Sequence, residues 1–340
     1  MFAGLVVAAS WGTLVNLDAA LVTLGQGGDI ATAVLLLLAV AACYPMWPAW
    51  RCLRDASRAG AALARGEMIE ARVRMAAARN LAWIAYGIAA AQALLLLAIE
   101  FLIANNLAVS RTFFMLPLIA SSFFLILRAF WINVYIFMIS EVLVLIWGLM
   151  VALARLAPGT AGRPLRMIAT FYVDVFRGLP AIINIYLIGF GLPLTGLPFL
   201  KEFSQQSFAI LALTLTNGAY VAEVYRAGIE GIHWSQTAAA RSLGLSHMQT
   251  LRYVIIPQGV RQIIPPLLNN FIGLQKDTAL VNVIGTIDAF NQSIIVASNN
   301  FNLSAVTTVA ALFVVITIPQ ARLVDRMIQR DRRRMRVGTT

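Results

Sequence analysis

An all-α, polytopic membrane protein is the fold class this sequence predicts, and three observations carry the prediction. Of the 340 residues, 60% are hydrophobic and only 12% are charged, whereas soluble domains run near a quarter charged. Several apolar stretches approach or exceed the ~20 residues that span a bilayer as helix. The arginines cluster between those stretches, and a chain that alternates faces keeps every arginine-rich segment on one side, as the positive-inside rule requires. The formal charge of +11 is therefore read as topology and not as a nucleic-acid footprint. Two cysteines, Cys43 and Cys52, and two histidines, His233 and His247, supply neither a disulfide framework nor a metal cluster.

Residues 1–110 are expected to form an N-terminal extension with about two transmembrane helices. Met1 to Gly25 is moderately apolar but holds Asn16 and Asp18 and lacks the basic start of a signal peptide. It is compatible with an interfacial helix and with an extra span. Ile30 to Trp50 reads as a span. Residues 51–80 carry Arg51, Arg54, Arg58, Arg65, Arg72, Arg74 and Arg79 against Asp55, Glu67 and Glu70, so this loop is expected in the cytoplasm. Its alanines favour helical extensions of the flanking spans. Leu81 to Ile103 returns to the outer face.

Residues 111–340 are expected to form the core. Asn105 to Arg128 is mixed: Pro117 and Ser121-Ser122 point to an outer-face or partly inserted segment. Ala129 to Leu153 spans inward to Arg155, and the basic loop Ala157 to Arg166 lies inside. Met167 to Leu192 spans outward to a Gly/Pro loop, Gly191 to Phe203. Ser207 to Tyr225 spans inward. The helix from His247 runs out through Pro257, Pro265 and Pro266, which membrane helices tolerate when neighbours satisfy the freed carbonyls. Ala305 to Ile318 spans back, and the basic tail Arg322 to Arg336 is inside. The total is five core spans and two added ones.

One polar stretch, 235–257, interrupts this pattern between two spans. Ser235 can N-cap a short helix, Ala238, Ala239 and Ala240 favour it, and Gly244 can end it in the left-handed conformation. Ser246 and Gln249 have capping-box spacing for a second helix. The run Ala239 to Gly244, followed by Val254-Ile-Ile-Pro257, resembles the cytoplasmic EAA loop of ABC-importer membrane subunits. That loop reads Glu-Ala-Ala, a Gly six positions after the Glu, and an Ile-x-Leu-Pro end. Ala238 stands at the Glu position, Gly244 at the Gly, and Val254, Ile256 and Pro257 at the end. Ala238 departs from the family's Glu, which puts the loop's usual acidic contact in question.

Further stretches widen the resemblance to permeases for polar amino acids. Phe171 to Pro180 is similar to their YVE-x-FRGTP, Phe190 to Pro193 to the following FGLP, Ala219 to Gly228 to AYLAEIxRGG, and Lys276 to Gly285 to KDTSLVSVIG with Ala279 in place of Ser. The matches run in the family's order from about Ala129 onward; residues 1 to about 110 lie outside them. The resemblance implies a type I importer core of five helices in a bacterial cytoplasmic membrane, with the C-terminus inside. It implies an amino-acid substrate, an extracytoplasmic solute-binding protein, a second permease chain (identical or sister), and cytoplasmic ATP-binding subunits that carry ATP and Mg. It assigns ATPase coupling to Ala238, Ala239, Ala240, Arg241, Ser242, Leu243, Gly244, Leu245 and Pro257.

No catalytic or metal-binding residue is expected on this chain. It has no Gly-x-x-x-x-Gly-Lys-Ser/Thr loop, so no cofactor is expected on it. Asp174 and Arg177 are spaced to pair on one helix, as are Glu223 and Arg226. Charge inside an apolar helix is expensive, which makes Glu141, Lys276 and Asp277 candidates for a polar pathway. Glu141 is expected to pair with a basic residue of another helix. Glu223, Asn217, Tyr220, Thr278 and Asn282 complete the pathway set. The last four offer neutral donors and acceptors to a zwitterion, or to interhelical hydrogen bonds. His233 and His247 are expected to be surface polar residues. The other readings are a permease for another small polar solute, and a helical channel or membrane enzyme outside the ABC class. Copurification with an ATPase separates them.

Overall fold

The computed structural model describes the backbone of residues 1–23, 28–200 and 202–337, with side chains except those of His247 and 331–337. The end of the Met1 to Gly25 stretch, the surface role expected of His247 and the last basic side chains of the tail lie outside the described residues. The described residues form helices joined by turns and loops, with no strand among them, and the chain divides into two units, Met1–Met115 and Leu116–Thr340.

The first unit holds α1 (Phe2–Thr23), α2 (Asp29–Ala42), α3 (Met46–Ala64) and α4 (Met68–Phe113). Helix α1 is itself long and apolar enough to cross a bilayer. Within the unit α1 and α2–α3 are candidate crossings, and α4 opens a third apolar stretch, Met68–Arg155, that continues beyond it. The expected span Ile30 to Trp50 is not one straight helix. It breaks at Cys43–Pro45, because Pro45 and Pro48 lack the N–H groups that would continue the ladder of α2. Alanines form the α3–α4 seam: Ala59, Ala62, Ala71 and Ala78 are all buried. Ala3 and Val6 of α1 pack with Ala89 of α4. Gln92 Nε2 donates to Ser10 Oγ and to the Ala42 carbonyl at 2.6 and 3.0 Å, which ties α1 and α2 to α4. Helix α4 is interrupted at Asn105–Leu107, where φ is positive at three successive residues.

The second unit begins with α5 (Leu116–Arg155), a single helix of 40 residues. The mixed segment expected at Asn105 to Arg128 therefore ends inside α5. Pro117 falls in the first turn, where a missing N–H costs nothing. Next come α6 (Arg163–Gly178), α7 (Ala181–Tyr186), a π turn and the short α8 (Leu192–Leu194). The single span expected from Met167 to Leu192 is a pair of helices bent by 108°. Leu179 is extended, with ψ of 141°, because the residue before a proline avoids helical geometry. Pro180 thus turns the chain while the hydrophobic run continues.

Helix α9 (Gln205–Glu230) is capped by Ser204, whose hydroxyl accepts from Ser207 N–H. Then follow α10 (Trp234–Ser242), α11 (His247–Thr250), a π turn, α12 (Ile256–Asp277), a 3-10 segment Thr278–Ile284, α13 (Ala289–Asn300) and α14 (Ser304–Val337). Helix α13 was not anticipated. It makes a 54° bend with the helices before it. The second unit thus supplies α9, α14 and two bent pairs as candidate crossings, and α5 belongs to the apolar stretch Met68–Arg155; among the described residues the candidates number up to seven, the total the sequence predicts.

The core forms along α5 and α9, where Ile136, Val144, Leu213 and Val221 are buried together with Leu274 and Ile284. Two glycines let these helices approach. A Cβ on Gly218 would stand 2.7 Å from the Trp147 ring, and one on Gly148 would stand 2.7 Å from Val221. Trp147 in turn donates to the Tyr172 hydroxyl of α6 at 2.8 Å, and that hydroxyl donates to the Leu215 carbonyl.

Candidate functional site

Two constructions flank the C-terminal half of α9. The first is the turn that follows it. His233, not Ser235, caps α10: its Nδ1 accepts from Ser235 N–H at 3.3 Å. The helix therefore begins one residue before Ser235, and Ala238 sits in the second turn, out of reach of a capping box. Gly244 does what its type predicts. Its φ is +83°, Leu245 N–H reaches the Ala240 carbonyl at 3.2 Å, and Gly244 N–H reaches that of Arg241 at 3.0 Å. These are the two bonds of a Schellman stop. Ser246 and Gln249 form the expected reciprocal box, at 2.9 and 3.3 Å.

Of the coupling candidates, Ala240 is buried and Leu245 half-buried, while Ala238, Ala239, Arg241, Ser242, Leu243, Gly244 and Pro257 are exposed. Trp234 is 73% exposed, Leu243 84% and Met248 68%. A short helix and the turn after it that together show water such large apolar groups beside small alanines have the makings of a docking surface. Trp234 and Met248 were not singled out from sequence, although two large apolar residues in an otherwise polar loop were visible there.

The second construction is a charged cluster on α9. Glu223 Oε1 lies 2.5 Å from Arg155 Nη1 and 3.3 Å from Arg177 Nη1, and Oε2 lies 2.8 Å from Arg226 Nη2. Arg226 also pairs with Glu230. The Glu223–Arg226 pair was expected; the arginines from α5 and α6 were not. Among the described residues no ion pair joins Asp174 to Arg177, because Arg177 turns to Glu223 instead. Arg177 also lies 5.5 Å over the ring of Tyr220. A groove of about 430 Å³ opens here, lined by Arg177, Tyr220, Glu223, Gln262 and Asn270 among others.

The remaining pathway candidates separate. Asn217 Nδ2 donates to Asp277 Oδ2 at 3.4 Å, and Lys276 is exposed beside them. Thr278 turns into a buried network that sequence reading missed. Asn133 donates to Asp288 Oδ2 at 2.9 Å and to the Thr278 carbonyl at 3.2 Å, and accepts from Ala289 N–H at 3.0 Å. Asp288, fully buried, caps α13 through Asn291 N–H at 2.9 Å. The Asn282 carbonyl accepts from Gly285 N–H. Glu141 is half-buried, and among the described residues it makes no ion pair, so the partner expected for it is not there. Asn133 and Asp288 are 155 residues apart, and nothing local in the sequence links them.

A family model described as the binding-protein-dependent transport system inner membrane component matches residues 145–337. The probable amino-acid permease protein YxeN of Bacillus subtilis (strain 168) is 32% identical over 206 residues, covering 60% of this chain and 90% of that protein. The arginine transport system permease protein ArtQ of the same organism is 31% identical, covering 60% and 91%. Among solved structures, an amino acid ABC transporter crystallised with histidines aligns at TM-score 0.57 and 30% identity, over 62% of this chain and 96% of that one.

Proposed function

The chain belongs to the binding-protein-dependent transport system inner membrane component family, and from that premise we propose the substrate, partners and orientation of this permease subunit. It translocates a polar or charged amino acid, as the names of its relatives suggest. It works with a second permease chain, with an extracytoplasmic binding protein and with ATP-binding subunits that hold ATP and Mg. The arginine-rich segments and the C-terminus lie in the cytoplasm. Residues 1–115 are an accessory to the core.

The observation that carries this reading is helix α10. It is short, exposed, flanked by two membrane helices and stopped by a glycine that only a left-handed residue can replace. Ala238 keeps the face without a carboxylate, so docking rests on Trp234, Leu243 and Met248. ATP-driven closure of the partner subunits would move α10, and with it α9 and α12, which Gln258 joins to α10 through Gln236 at 3.4 Å. A ligand can shift such an equilibrium only by its differential affinity for the two states. Lys276, Asp277, Asn217, Tyr220 and the groove beside Arg177 then border the polar route.

The test is copurification followed by an activity screen. Tagged chain should bring down ATP-binding subunits at one per α10. Hydrolysis in liposomes should rise when the binding protein is loaded with one class of polar amino acid. Recovery of the chain without any ATPase would contradict the proposal.

A further inference from the structure

The transport reading leaves one cluster of the first unit unused. Helices α3 and α4 form an antiparallel hairpin whose turn lies at Arg65–Glu67. Counted from that turn, Trp50 and Trp83 stand at one height, about 24 Å away at 1.5 Å per residue. Trp47 and Tyr86 stand one turn further. A cleft lined by Ala49, Cys52, Ala82 and Tyr86 fits this register. Trp47, Trp50, Trp83 and Tyr86 are between 49% and 72% exposed. Exposed tryptophan and tyrosine at one height mark the headgroup level of a bilayer.

Arginines are stacked on that belt. The guanidinium carbon of Arg51 lies 4.0 Å over the Trp47 ring, and that of Arg54 lies 5.0 Å over Trp50. Each acid of residues 51–80 is already matched: Asp55 with Arg54 at 3.8 Å, Glu67 with Arg65 at 2.8 Å and Glu70 with Arg74 at 2.7 Å. Among the described residues, Arg51, Arg58, Arg72 and Arg79 have no carboxylate partner. Arg51 and Arg58 are seven apart and share a face of α3, and Arg72 and Arg79 do the same on α4. Arg51 and Arg79 stand immediately above the aromatic belt. A guanidinium fork matches a phosphate through two parallel N–H bonds, and basic clusters just beyond a span attract anionic headgroups.

We propose that the edge formed by Trp47, Trp50, Arg51, Arg79 and Trp83 binds the phosphate headgroups of acidic phospholipids. The inference rests on the cytoplasmic orientation of the 51–80 segment. It requires no ATPase and no substrate, so it stands or falls separately from the transport assignment.

The assembled protein is reconstituted in nanodiscs of phosphatidylcholine with phosphatidylglycerol, released, and weighed with retained lipids by native mass spectrometry. Phosphatidylglycerol should be retained severalfold above its share, and Arg51→Gln with Arg79→Gln should reduce the retained number severalfold. Equal retention of the two lipids, or the same loss on Arg326→Gln with Arg330→Gln, would overturn the proposal. If the hairpin variant does not assemble, wild-type tryptophan fluorescence decides. Brominated phosphatidylglycerol should quench it more than brominated phosphatidylcholine at equal mole fraction, and equal quenching would sink the idea.

Discussion

Helices α9 and α10 are neighbours in sequence but are held by different means. Helix α9 is fixed by what touches it: Trp147 against Gly218, Val221 against Gly148, and Glu223 in the grip of arginines from two other helices. Helix α10 is fixed almost wholly by its own ends, a histidine cap and a Schellman stop, with one buried residue between them. The difference separates two classes of substitution. Changes on α9 should lower the stability of the membrane core. Changes on α10 should leave the core standing and alter what the chain transmits.

The largest loss is expected at Glu223. Glu223→Ala leaves Arg155, Arg177 and Arg226 facing one another without their shared carboxylate. Breaking a buried ion pair costs 3–5 kcal/mol; the partial exposure of Arg177 and Arg226 puts this at about 3 kcal/mol. Thermal unfolding in detergent should show it as a drop of several degrees, and a Tm equal to wild type would move this cluster into the class of exposed pairs.

Asn133→Ala comes next. It strips Asp288 of a donor and Ala289 N–H of its acceptor in a fully buried site, at about 1–3 kcal/mol. Limited proteolysis between α12 and α14 should accelerate; unchanged cleavage would mean that α13 is held by packing alone.

Gly218→Ala is expected to cost about 1 kcal/mol by pushing the Trp147 ring off its Tyr172 bond. Near-ultraviolet circular dichroism should report the disturbed tryptophan.

What could be read in the sequence follows the same division. The Schellman glycine, the Ser246–Gln249 box and the five-helix core were legible, because short-range residue chemistry and hydrophobic length determine them. The bend at Leu179–Pro180 was hidden by the apolar run that continues through it. The helix cap moved from Ser235 to His233, since an imidazole nitrogen can accept a bond as a hydroxyl can. Arg155 and Arg177 could not be assigned to Glu223, because that pairing depends on where α5 and α6 cross α9. Helix α13 was missed because its cap, Asp288, is stabilised by an asparagine from another helix.

The smallest effect is expected at Ala238. The position lies in the second turn, beyond the helix N-terminus, and is exposed. Ala238→Glu should therefore change Tm by no more than a surface substitution does, about 0.5 kcal/mol. A larger gain in stability would place the helix start at Ser235 after all.

The coupling role of α10 is tested most directly at Gly244. A β-branched residue at φ of +83° costs about 1–2 kcal/mol, and no neighbouring atom lies within 4 Å to add a clash. Gly244→Val should therefore assemble in the membrane with a Tm close to wild type while the stop of α10 is misdirected. The measurement is ATP hydrolysis by the reconstituted complex with and without loaded binding protein. The response to substrate should be lost in Gly244→Val while binding-protein docking persists. A normal substrate response in that variant would contradict the assignment of α10 as the docking helix.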